Sequence, residues 1–84
     1  MNTTENNIYN NGNMKIELIS VVRLNGIHDL LDNYAIVYRH NIDDYVVVRG
    51  FRVYDDTKCD WNYAIEYDIE NYSYAKTLLL DKIK

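Results

Sequence analysis

The chain has 84 residues with one cysteine, no proline, nine tyrosines and a formal net charge of −4. That length makes one domain with a thin core, burying about 60 to 65% of the surface exposed when unfolded, and leaves little room for an enclosed catalytic cleft. One cysteine excludes an internal disulfide framework and the two histidines offer no zinc spacing; with no apolar run near 18 residues and no charged-then-apolar leader, the expectation is a soluble, cytoplasmic protein without metal or cofactor.

Residues 1–13 contain six asparagines with only Ile8 and Tyr9 as large apolar groups beyond Met1. Such a composition does not offset the entropy of ordering, so a flexible Asn-rich tail is expected, followed by a single domain over 14–84. Residues 14–24 alternate as a strand, with Ile16, Leu18, Val22 and Leu24 on one face. Asn25-Gly26 breaks the run. Ile27, Leu30 and Leu31 then recur at helical spacing, a short helix that must lie on the sheet because it cannot stand alone.

Residues 34–39 form a second strand, with Tyr34, Ile36 and Tyr38 facing one way and Ala35 and Val37 the other. Residues 40–44 close a hairpin into the most strongly strand-forming run, 45–54, the expected centre of the sheet. Gly50 interrupts its alternation. A bulge there gathers Val46, Val48, Phe51 and Val53 on one face, expected to hold the helices, and Tyr45, Val47, Arg49, Arg52 and Tyr54 on the other.

A polar loop over 55–60 leads to a last strand, in which Trp61, Tyr63, Ile65, Tyr67 and Ile69 alternate with Asn62, Ala64, Glu66 and Asp68. Asn71 or Ser73 caps a final helix with Tyr72, Ala75, Leu78, Leu79 and Ile83 as its apolar stripe. The hexapeptides beginning at Asn33 and Asn62 match at five of six positions, and read as two tyrosine-rich strands flanking a common centre. The expected fold is α+β: a four-stranded antiparallel sheet with helices on one face, in the order β-α-β-β-β-α, the first strand at an edge.

Charge is unevenly placed, with eight acids against three bases between Asp43 and Tyr74, a net of −5. Asp55, Asp56, Asp60, Trp61, Tyr63, Glu66, Tyr67, Asp68 and Glu70, in a stretch whose carboxylates are also interleaved with Tyr54, Tyr72 and Tyr74, make a candidate partner-binding surface: carboxylates attract a basic protein and aromatics supply rigid contact area. In size and composition this half resembles the small phage-encoded inhibitors, anti-CRISPR proteins and DNA mimics among them, that block nucleic-acid enzymes. The resemblance implies binding and occlusion of a larger basic host protein in place of catalysis.

Two other readings have residues of their own. Arg39, Arg49 and Arg52 with Tyr45 and Tyr54 suggest a sheet face that stacks bases and contacts phosphates, against which stands pairing of those arginines with nearby aspartates. The apolar strand over 16–24 suggests an edge-to-edge homodimer of regulatory or antitoxin type. Catalysis has the thinnest support: His40 and Cys59 are the one nucleophile and base that a meander brings near each other, and no phosphate loop or metal motif is present.

Overall fold

The computed structural model describes residues 7–24 and 33–84, and in them the chain forms seven strands and one helix. The strands are β1 (Ile8–Asn11), β2 (Met14–Arg23), β3 (Asn33–Arg39), β4 (Asp44–Arg49), β5 (Arg52–Tyr54), β6 (Lys58–Asp60) and β7 (Tyr63–Ile69), followed by α1 (Tyr72–Lys82). They make one sheet in the order β5-β6-β1-β2-β3-β4-β7, antiparallel except where β1 runs parallel to β6.

The order dictates the shape. β4 and β5 lie five strand spacings apart, about 24 Å in a flat sheet, yet only Gly50 and Phe51 separate them in sequence, a reach of about 11 Å. The sheet therefore curls until β4 passes into β5, which turns away to pair with β6. Gly50 makes that turn at φ +78°, and a Cβ there would stand 3.1 Å from the Asn62 side chain. Asn33 fixes it from the other side. Its amide donates to the Phe51 carbonyl oxygen and accepts from the Phe51 N–H, both at 3.0 Å.

Curling gives the sheet an inside and an outside. Inside, Ile16, Ala35, Val37, Val46, Val48, Phe51 and Cys59 form one buried cluster, with Trp61 and Ala64 packed against it. Outside, Ile36 and Val47 meet Ile69 and the helix residues Ala75 and Leu79. Valine and isoleucine occupy both faces of β3 and β4 because both are covered, as in a sheet buried on two sides.

These findings correct the expected α+β fold. The protein is mainly sheet, seven strands of mixed direction, with α1 as the helix among the described residues. The short helix expected after Gly26 lies outside the described residues, as do residues 1–6 of the expected tail. Residues 8–11 of that tail form β1, which pairs with β2 on one side and on the other is tied to the β5–β6 hairpin by Asn10 N–H to Thr57 carbonyl, 2.7 Å. The helix packs on the Val47 face and not on that of Val46, Val48 and Phe51, while Val53 is exposed. β2 is not an edge: it lies between β1 and β3, and the outer strands are β5 and β7. A register shift between Leu18 and Ser20 moves Val22 to the helix side, where Ile19 also lies, breaking the alternation read across residues 14–24. No helix among the described residues is long and apolar enough to cross a membrane.

The two related hexapeptides do flank a common centre. Tyr34 and Tyr63 both pair with Arg49, and Ala35 and Ala64 both pair with Val48. Small side chains on either side of Val48 leave it room inside the curl.

Candidate functional site: the acidic tyrosine surface of β7 and the start of α1

β7 is an outer strand, pairing among the described residues with β4 alone. Between Tyr45↔Ile69 and Val47↔Glu66 it carries one residue more than β4, and Asp68 takes φ 60° in the resulting bulge. A bulge bends the strand and re-aims its side chains. Here a carboxylate holds it open: Asp44, 5% exposed, accepts the Asp68 backbone N–H at 2.9 Å. The same carboxylate takes two bonds from Arg39, Nε to Oδ1 at 2.8 Å and Nη2 to Oδ2 at 2.6 Å. Burial pushes the Asp44 carboxyl upward, but Arg39 and the Asp68 N–H outweigh it and hold the group below its ordinary value.

The bulge turns Tyr67 and Asp68 to solvent. Tyr67 is 48% exposed with the Arg39 guanidinium 5.0 Å from its ring centre, and Arg39 lies 3.6 Å from Asp68. Tyr63 is exposed further up the strand, and Glu66 and Glu70 are exposed to either side of the bulge.

Asn71 caps α1, its side chain accepting the Tyr74 N–H at 2.8 Å. That cap sets the first helical turn beside the strand, where the Tyr74 hydroxyl donates to Glu66 Oε1 at 3.2 Å; the bond raises the Tyr74 phenol above its ordinary value. Tyr72 is also exposed and leans its ring on Tyr45, 6.0 Å between centres. Tyr72 and Tyr74 therefore extend this surface; both stand among the aromatics that the sequence interleaves with the carboxylates, but neither is one of the expected contact residues, and Tyr72 also reads as part of the apolar stripe. The signal that locates them is Asn71 as the cap, which puts the next three residues in the turn that follows β7.

Of the nine residues expected to bind a partner, Tyr63, Glu66, Tyr67, Asp68 and Glu70 are brought together along β7 and its exit. Asp55 and Asp56 are exposed on the turn between β5 and β6, at φ 61° and 60°, on a hairpin at the other end of the strand order. Asp60 is engaged by Arg52, Nε to Oδ1 at 2.7 Å, an ion pair whose angle leaves that buried oxygen without a hydrogen bond. Trp61 packs against the inner core.

The arginine and tyrosine platform does not assemble as a free cationic row. Arg39 is held by Asp44 and Arg52 by Asp60. Arg49 lies over the Tyr34 ring at 4.7 Å and donates to the Tyr34 hydroxyl at 3.0 Å. Tyr45 is half-buried between Tyr38 and Tyr72, and Tyr54 alone of that set is exposed. His40 meets Glu17, Nε2 to Oε1 at 2.9 Å. Cys59 is buried in the inner core with its thiol pushed up to about 11 by burial and by the neighbouring Asp60 charge, the opposite of an activated nucleophile. Among the described residues no group of three histidine, cysteine or carboxylate side chains gathers as a metal site.

Comparison of the chain with protein-family models, with curated proteins and with solved structures returned no match.

Proposed function

We propose that the protein is a non-enzymatic inhibitor or regulator that docks the acidic tyrosine surface of β7 and the start of α1 onto a larger, basic partner protein, in the manner of phage-encoded occluders such as anti-CRISPR proteins. The observation that carries this reading is the exposure of four tyrosines, Tyr63, Tyr67, Tyr72 and Tyr74, each between 38% and 53%, on one strand and the helical turn that follows it. Glu66, Asp68 and Glu70 stand among them. Tyrosine is a residue type on which interfaces concentrate their binding energy. The carboxylates select the sign of the partner and speed the encounter.

A partner recovered with the tagged protein from its host lysate provides the test. Reversing Glu66, Asp68 and Glu70 to lysine is expected to weaken that association by at least about 10-fold, and salt near 0.5 M to slow it, because exposed charges are screened. Tyr67→Ala is expected to weaken it without changing the salt dependence. Association unchanged by charge reversal and by Tyr67→Ala excludes this surface.

A further inference from the structure

Where β2 ends and β4 gives way to β5, the inside of the curled sheet opens into a cleft of about 280 Å³. Leu18 and Phe51 form its floor, and Val21 and Val53 its walls. Phe51 is 6% exposed and continuous with the inner core, whereas Val21 and Val53 are 42% and 39% exposed. Two β-branched side chains on different strands are thus left uncovered around one opening.

Its charged groups have one sign. Arg23 and Arg52 stand at the cleft, in a chain whose net charge is −4. Arg52 is anchored by its Nε to Asp60. Arg23 is exposed and has no ion pair among the described residues. Asn33, the remaining lining residue, spends its amide on the Phe51 backbone and so fixes the floor. A mouth of this kind is a common place for ligands in curled and closed sheets, and the volume falls just short of the roughly 300 to 1,000 Å³ typical of small-molecule sites, room for a small ligand.

From this combination we infer a binding site for a small organic acid whose apolar body is the size of one aromatic side chain, the body resting on Phe51 between Val21 and Val53 and the carboxylate meeting Arg23. The site is separate from the β7 surface and does not depend on the docking function proposed for it. Phosphate alone does not satisfy it, because Leu18, Val21, Phe51 and Val53 offer it only hydrocarbon. A neutral apolar compound leaves Arg23 unused.

The test is a titration of the full chain with 3-phenylpropionate and with its uncharged analogue 3-phenylpropionamide, followed by backbone amide resonances. The acid is expected to produce saturable shifts at Leu18, Val21, Phe51 and Val53 and to bind at least about 10-fold more tightly than the amide, the difference expected of a charge-assisted contact. Arg23→Gln is expected to remove most of that difference while the spectrum stays native. Val21→Glu, an exposed change, is expected to abolish binding of both compounds. Equal affinity for acid and amide, shifts confined to other faces, or no saturation overturns the assignment.

Discussion

The side chain of Asn33 is paired with the backbone of Phe51 as a neighbouring strand would be, one bond given and one received at 3.0 Å each. It stands where the ladder between β3 and β4 ends and the chain turns toward β5. Both partners are buried. Asn33→Ala leaves a buried N–H and carbonyl of Phe51 without their side-chain partner, and a cost of about 1 to 3 kcal/mol is expected in urea unfolding. A loss under about 0.5 kcal/mol would mean that the turn holds without it.

Gly50 is strained for any other residue. At φ +78°, with the Asn62 side chain 3.1 Å from where a Cβ would stand, Gly50→Ala is expected to cost about 1 to 3 kcal/mol. Asn62→Gly in the same background is expected to return only part of that loss, because it removes the contact and not the dihedral. Full recovery would assign the whole effect to the contact.

Asp44 ties the bulge to acid stability. Its carboxyl is held below its ordinary value in the folded protein, so its contribution is complete above the unfolded carboxylate range, near pH 4, and is lost as pH falls through the folded value. Asp44→Asn is expected to destabilise at neutral pH by about 2 to 3 kcal/mol, because Arg39, largely buried, keeps only the more distant and solvent-exposed Asp68 carboxylate at 3.6 Å as countercharge. The gap between wild type and variant is expected to narrow as the solution is acidified. A gap independent of pH would show that the charge on Asp44 is not what stabilises the bulge.

Cys59 offers a probe of opening. Buried, and with its thiol pushed up to about 11, it is expected to resist a thiol reagent in the native state and to react at the rate at which the inner core opens. Fast, denaturant-independent modification at neutral pH would contradict its placement.

Residues whose neighbours are close in sequence were legible, and those held by distant ones were not. The interruption at Gly50 is readable from a parity change, and Phe51 does join Val46 and Val48 inside, but it is the end of β4 and not a bulge within one strand over 45–54. Asn71 and the buried pair Ala75 and Leu79 were readable from helical spacing. By contrast, β1 has two apolar residues and is held by partners up to 48 residues away, among them Asn11 donating to the Cys59 carbonyl at 2.9 Å. The three-residue strands β5 and β6 read as the end of a strand and a polar loop because their pairing follows from the curl of the whole sheet. In the candidate site, the acids and tyrosines of β7 were identifiable by type. Their separation from Asp55 and Asp56, and the diversion of Asp60 to Arg52, depend on which strands become neighbours, and the bulge that exposes Tyr67 and Asp68 depends on a carboxylate 24 residues earlier.

The parallel contact between β1 and β6 also sets an order of assembly. On a ribosome the first strand emerges long before Thr57 and Lys58, to which Asn10 is joined, and before the Cys59 carbonyl that Asn11 holds. β1 can meet β2 early as a hairpin, but its second edge has nothing to bind until more than half the chain has been made. β1 therefore reaches its final set of neighbours late, and closure of the sheet on that side waits until the chain has been made through β6.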